Sequence, residues 1–226
     1  MISVIVIVGT IPPEFERFRR CIHTAEQSIE IIYVVNKGLE GSIKPLGHQE
    51  TVLVSNRAGR GYAMAQGARR AHGDIMLLLH ADTLLPKQWD NYIRQTLSDA
   101  SVVGGAFNLR FDKENAYLRL LVILSDVFFH ATGELWGDRA IFIRSDVLRQ
   151  NLSVIDVPIL EDVRLSLRMK QLGSVRLINA AVRTASDSFH RRGMVRHTMR
   201  ILLCRSLYTL GIPLKYIWRC YYGSKQ

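Results

Sequence analysis

Acidic residues are scarce in this chain and cysteines scarcer. Its 226 residues hold 20 Asp and Glu against 30 Lys and Arg, for a formal net charge of +10. The three cysteines, Cys21, Cys204 and Cys220, are scattered and form no CxxC pair. This excludes a disulfide framework and a cysteine zinc site, and it fits reduced thiols in a cytosolic protein. No uncharged apolar run approaches the roughly 20 residues that a membrane-spanning helix requires. The nearest, Leu120 to Phe129, is too short and contains Asp126. The N-terminus lacks a positive n-region and a small-residue cleavage site, so Ile2 to Val8 reads as a buried strand and not as a secretion signal. There are no repeats and no low-complexity tracts, which excludes a solenoid or an extended disordered chain. What is present is a globular composition, 48% hydrophobic, long enough for one α/β domain with a sizeable core.

The positive charge is unevenly placed. Residues 183–226 carry nine Lys or Arg, Lys225 among them, against the single acid Asp187, and so hold +8 of the +10. Such a tail favours an anionic partner: a phosphorylated ligand, a lipid headgroup or nucleic acid. No nucleic-acid motif accompanies it, so nucleic acid is not expected. Arg192, Arg196, Arg200 and Arg205 recur at helical spacing, with Met199, Leu202 and Leu203 supplying apolar surface. This reads either as a basic amphipathic helix lying on an anionic membrane or as the solvated face of a packed C-terminal helix.

The stretch around which the chain is organised runs from Asp74 to Thr83. Ile75 to Leu79 are continuously apolar and stop at the polar tip His80, Asp82 and Thr83. A short apolar run of this kind is a strand buried on both faces. Ligands of open α/β sheets sit beyond the carboxyl ends of such strands, so Asp82 is placed to hold a metal. Locally, Asp82 reads equally well as the cap of a following helix near Pro86.

Around it the pattern alternates. Strands are predicted over 2–8, 29–35 and 51–54, with helices over 14–26 and 62–71, the grammar of a doubly wound parallel sheet. Downstream, a helix is predicted over 87–98 and a strand over 101–111. Gly104-Gly105 in that strand implies a bulge or a close approach by a ligand. A helix over 116–129, a polar loop over 132–139 and a strand over 140–143 follow. A helix from 163 ends at Gly173. Short strands over 175–178 and 181–184 precede a helical tail over 194–221, broken near Gly211 to Pro213.

Several motifs occur in order: Gly59-Arg60-Gly61, Ala71-His72-Gly73-Asp74, Leu79-His80-Ala81-Asp82-Thr83, Val103-Gly104-Gly105-Ala106-Phe107, Gly137-Asp138 and Leu160-Glu161-Asp162-Val163. The set resembles a family 2 glycosyltransferase of the GT-A type, most closely the small bacterial subgroup with His-Ala-Asp-Thr at the metal motif. The resemblance covers nearly the whole chain. It implies a Rossmann-like, mostly parallel central sheet flanked by helices. Residues 1–190 would form the glycosyltransferase domain, with a nucleotide-binding half over 1–84 and an acceptor half over 85–190. Residues 191–226 would be a basic helical extension packed on it.

The resemblance also implies chemistry. The substrate would be a nucleotide-diphosphate sugar, and its sugar would pass to an acceptor hydroxyl. Asp82 matches the metal-binding acid, and Mg²⁺ or Mn²⁺ suits one or two carboxylates plus phosphate oxygens. Asp162 matches the general base of inverting relatives, with Glu161 as companion. Adjacent helical residues do not share a face, so only one of these two acids is expected to reach the acceptor. By themselves, Glu161 and Asp162 read as acids favoured at a helix N-terminus. Thr10, Asn36, Arg60, Gly61, His80 and Asp82 fall on the donor side. Gly104, Gly105, Trp136, Gly137 and Asp138 fall on the acceptor side, where Trp136 either stacks on a sugar or packs in the core. The acceptor is expected to be lipid-linked, and the protein to be cytoplasmic and peripheral on the inner face of the cell membrane.

Four positions depart from the family pattern. The Pro-x-x-Asn-Glu after the first strand is absent from Ile7-Val8-Gly9-Thr10-Ile11. Asn36 replaces an Asp, and Ala65 an Asn. Asp187-Ser188-Phe189 replaces a basic-aromatic stretch. The arginine-tryptophan motif of processive synthases is missing, which implies transfer of one sugar. A nucleotidyltransferase would need a phosphate-binding loop after the first strand, and Gly9-Thr10-Ile11-Pro12-Pro13 supplies none. A catalytically impaired nucleotide-sugar binder and a basic membrane-binding module are the remaining alternatives.

Overall fold

Ile2 to Val8 is buried at every position, which requires cover on both faces. In the computed structural model, which describes residues 1–223, this stretch is β1, the centre of the parallel part of an eight-stranded sheet. Lys225 lies outside the described residues. β2 (Ile29–Val35) and β4 (Ile75–His80) flank β1 in parallel, and β3 (Glu50–Val54) pairs with β2. The pleat sorts the side chains between two cores. Val4, Val6, Tyr33, Leu77 and Leu79 face one layer, in which α1 (Phe15–Ile22) contributes Phe18 and α3 (Trp89–Thr96) contributes Trp89. Ile5, Ile32, Val34 and Leu78 face the other, where α2 (Arg60–Arg70) contributes Ala65 and Ala68. Each large apolar side chain so buried stabilises the fold by about 1.5–3 kcal/mol relative to exposure.

Beyond β4 the sheet becomes mixed. Its full order is β3-β2-β1-β4-β7-β6-β8-β5. β7 (Ile141–Arg144) runs antiparallel to β4 and to β6 (Val102–Phe111), β6 pairs in parallel with β8 (Ser174–Thr184), and the two-residue β5 (Thr83–Leu84) closes the edge against β8. The two short strands expected over 175–184 are one strand; a register shift opposite Phe107 and Asn108 interrupts its pattern.

A bulge occurs at Gly104, as the glycines imply. The close approach is made by the chain itself. A Cβ on Gly104 would meet the Phe142 carbonyl oxygen, and one on Gly105 the Arg176 carbonyl oxygen. The cap reading of Asp82 fails, because α3 begins only at Trp89, after Gln88 in a left-handed conformation (φ 57°).

Four further helices complete the body: α4 (Ala116–Thr132), α5 (Ser145–Gln150), α6 (Leu152–Ile155) and α7 (Glu161–Leu172). The tail folds as α8 (Asp187–Arg192), α9 (Met194–Thr209) and α10 (Leu214–Tyr222), with the expected break at Gly211 to Pro213. Cys204 of α9 and Ile217 of α10 pack against Ile159, Leu160 and Val163 at the start of α7. The four tail arginines do not form one stripe. Arg192 ends α8, Arg200 donates to the Tyr221 carbonyl (3.3 Å), and Arg205 is ion-paired with Glu134. No helix among the described residues is long and apolar enough to cross a membrane.

Candidate active site

The chain leaves β1 to build β2 and β3 on one side and returns to build β4 on the other, which opens a crevice beyond the carboxyl ends of β1 and β4. A cavity of 1130 Å³ occupies this position. Strand ends supply one wall: Gly9 and Thr10 after β1, Asn36 after β2, and His80 to Asp82 after β4. Asn36 Nδ2 donates to the Gly9 carbonyl (3.2 Å) and ties two of these ends together.

Gly59 and Arg60, at the start of α2, form a second side. Arg60 is ion-paired with Glu161 (Nε to Oε1, 3.1 Å). The Glu161 carboxylate holds the guanidinium well above its ordinary value. Burial pushes Glu161 up, and the Arg60 charge opposes that shift. Glu161 is fully buried and does not line the cavity, so the expectation that it serves as a catalytic companion is corrected to an anchor for Arg60.

Leu160 precedes it in a left-handed conformation (φ 62°), unusual for a branched residue. This sets the entry of α7 so that Glu161 turns inward and Asp162 faces the cavity. Asp162 Oδ2 accepts from the Gly137 N–H (2.8 Å), and Oδ1 from the Val163 N–H (2.8 Å). The two bonds fix the orientation of the carboxylate and leave lone pairs free for a further donor.

Trp136, Gly137 and Asp138 line the cavity, with Asp138 close enough to act on Asp82. Burial first, and the Asp138 charge second, raise Asp82 to about 6. Thr83 Oγ1 donates to Asp82 Oδ1 (3.3 Å). Burial and then the Arg60 charge push His80 down to about 3, so the ring is neutral, and its Nε2 is buried without a partner.

Thr10, Asn36, Arg60, His80, Asp82, Trp136, Gly137, Asp138 and Asp162 therefore converge on one cavity. Four expected site residues do not. Gly104 and Gly105 are packed within the sheet, and Glu161 lies behind Arg60. Gly61 sits beneath the Ile155 and Val157 carbonyls, where there is no room for a side chain. Ala65, where the family resemblance implies Asn, is likewise buried away from the cavity.

Sequence reading missed the tail wall. Arg191, Arg192, His197, Cys204, Trp218 and Tyr222 also line the cavity. The aromatic run at Tyr216, Trp218, Tyr221 and Tyr222 was the available signal. Two carboxylates repelling each other in a buried crevice suit a divalent cation whose other positions are filled by phosphate or water oxygens. No group of three or more His, Cys, Asp or Glu that could hold a metal by itself occurs among the described residues.

The model of the family described as "Glycosyl transferase family 2" matches residues 12–155. The chain belongs to this family. The matched region holds Arg60, His80, Asp82 and Asp138, whereas Asp162 and the tail wall lie beyond it. Curated proteins yield no match. Among solved structures, this glycosyl transferase family 2 chain is similar to the mannosyltransferase PcManGT from Pyrobaculum calidifontis in complex with GDP-Man and Mn²⁺. The TM-score is 0.68 at 20% identity, over 98% of this chain and 69% of that one. It is also similar to S. aureus TarS 1-349 in complex with UDP-GlcNAc, with a TM-score of 0.58 at 11% identity, over 82% of this chain. The chain spans 58% of the length of that structure. A mycobacterial protein matches with a TM-score of 0.61 at 14% identity, over 94% of this chain and 76% of that one. These likenesses establish the GT-A fold.

Proposed function

We propose that the protein transfers one sugar from a nucleotide-diphosphate sugar to an acceptor hydroxyl, with inversion and with Mg²⁺ or Mn²⁺. One observation carries the proposal: Arg60, Asp82 and Asp162, from three separated segments, face one cavity in a family 2 chain. Asp82, with Asp138 beside it, would hold the cation, which when bound neutralises charge on the departing diphosphate. Arg60, held by Glu161 at the start of α2 and lining the cavity, would donate to the diphosphate. Asp162 takes the proton from the acceptor hydroxyl. The acceptor oxygen bonds to the anomeric carbon as the bond to the diphosphate oxygen breaks with its electron pair. Direct attack of the deprotonated acceptor oxygen on the anomeric carbon is one displacement and hence inverts that carbon. The neutral His80 ring suits a contact to the ribose. The missing arginine-tryptophan motif supports transfer of a single sugar. A cytoplasmic location is supported by the free thiols Cys21, Cys204 and Cys220. A lipid-linked acceptor and a peripheral position on the inner face of the cell membrane complete the reading.

Calorimetry against a panel of nucleotide sugars, with and without Mn²⁺, combined with donor hydrolysis, tests this. Asp82→Ala is expected to lose the Mn²⁺-dependent part of donor binding. Asp162→Asn is expected to bind donor as the parent does, but to hydrolyse or transfer it about 10²–10⁴ times more slowly. Full activity in both variants would disprove the assignment. Donor binding without turnover in the parent would favour the impaired binder.

A further inference from the structure

α4 and α9 lie side by side. Tyr117 Oη donates to Thr198 Oγ1 (2.9 Å) at one end, and the Arg205 guanidinium stands 4.8 Å from the Phe128 ring at the other. α4 turns Leu118, Leu121, Ser125 and Phe129 into the protein. At 100° per residue this leaves Leu120, Ile123, Leu124 and Val127 as one outward stripe beside the seam with α9. Each is more than half exposed. α9 turns His197 and Cys204 inward. Its outward stripe, Val195, Met199, Leu202 and Leu203, adjoins the same seam, and Leu210 continues it at 77% exposure. Two parallel apolar stripes thus form one outward surface, about 10 Å long on α4 and about 22 Å long on α9 with Leu210, at 1.5 Å per residue. A soluble monomer rarely exposes so continuous a patch.

The charge around it identifies the occupant. Residues 188–223 contain no Asp or Glu, and Arg196 of α9 itself is exposed, as are Lys215 and Arg219 of α10, the helix packed against α9. The one acid of α4, Asp126, is neutralised by Arg139 (2.6 Å). A second copy of the chain would bring two such acid-free, basic tails together across a twofold axis, where like charges oppose. An anionic bilayer matches both features: headgroups for the basic rim and acyl chains for the apolar stripes.

We infer that the α4–α9 face is a docking platform for a bilayer carrying anionic lipids, bound mainly through the apolar stripes. The expected electrostatic stripe of Arg192, Arg196, Arg200 and Arg205 plays only a minor part, because Arg200 and Arg205 are engaged internally. The inner face of α9 lines the cavity through His197, Ile201 and Cys204, so docking brings the tail wall to the lipid surface. That a lipid-borne hydroxyl then reaches the cavity rests on the proposed sugar transfer; the docking itself does not.

Vesicle flotation of the full chain tests the platform. Phosphatidylcholine vesicles are used with and without one part in three of phosphatidylglycerol, and sedimentation equilibrium is run in parallel. The parent is expected to float with the mixed vesicles. Leu124→Gln combined with Met199→Gln, both outside the cavity, should lower the bound fraction about tenfold with the circular dichroism spectrum unchanged. Arg196→Gln combined with Lys215→Gln should reduce the preference for anionic vesicles by a smaller factor. Failure of the parent to float overturns the inference. So does undiminished flotation of the apolar variant, and so does a parent dimer that the apolar variant converts to monomer without any vesicle binding.

Discussion

Glu161 is buried and ion-paired with Arg60, and this pair joins the start of α2 to the start of α7. Removing one member of such a pair costs more than the pair contributes, because a charge is left behind in a poor solvent. Arg60→Ala is therefore expected to destabilise the protein by about 3 kcal/mol near neutral pH. The sign of its pH dependence follows from Glu161. Without Arg60 the carboxyl is raised further above its unfolded value, so the folded state binds the proton more tightly. Stability then falls as pH rises through the interval between the two values and is spared below it. Denaturant unfolding of Arg60→Ala and the parent should diverge at pH 8 and converge toward pH 4. Adding Glu161→Gln to Arg60→Ala should recover most of the loss. A penalty independent of pH would mean that Glu161 is not the group left unpaired. Sequence alone put Arg60 on the donor side and Glu161 beside Asp162 as a companion acid, without showing that Arg60 and Glu161 meet. Adjacent acids at a helix start look alike until Leu160, in its left-handed conformation, decides which turns inward.

At the scale of elements, the close approach at β6 is a strict requirement. Gly105→Ala would drive a Cβ into the Arg176 backbone and against the Phe142 ring, neither of which can retreat without breaking the pairing of β6 with β7 or β8. A loss of about 2–4 kcal/mol is expected, as for overpacking at a rigid site, read as a lower midpoint in thermal or denaturant unfolding. Retained stability would mean that the strands part easily and that the glycine pair serves something else. This was half legible: the glycines announced a bulge, but not that backbone and not ligand fills the space. β1, β2 and β4 were legible because strands covered on both faces are continuously apolar. α5 and α6 were not, since helices of 6 and 4 residues give no period to read. α4 was legible as an apolar helix. That a whole stripe of it faces outward was not, because periodicity reports a pattern and only tertiary packing says which side is covered.

At the scale of the molecule, the candidate site is assembled from parts that the sequence keeps far apart. Asp82 ends a central strand, Asp162 starts a helix eighty residues later, and the far wall comes from a tail beyond the matched family region. The convergence of the two acids followed from ordered motifs. The tail wall had no motif and emerged only from packing. What holds it in place is a small separate core: Ile217 of α10 and Cys204 of α9 against Ile159, Leu160 and Val163, which immediately flank Glu161 and Asp162. The tail therefore buttresses the backbone that aims the candidate base. Ile217 is fully buried and outside the cavity lining, so shortening it removes packing and no polar contact. Ile217→Ala should cost about 2–5 kcal/mol where its core cannot collapse. Because that core is remote from the central strands, the opening should be local. Hydrogen exchange is expected to accelerate in 156–163 and 194–222 while β1, β2 and β4 keep their protection. Turnover should fall although no residue facing the cavity has changed. If exchange accelerates only in the tail and 156–163 stays protected, the tail covers the cavity without supporting Asp162. If it accelerates everywhere alike, the small core is not a separate unit but part of the cooperative whole.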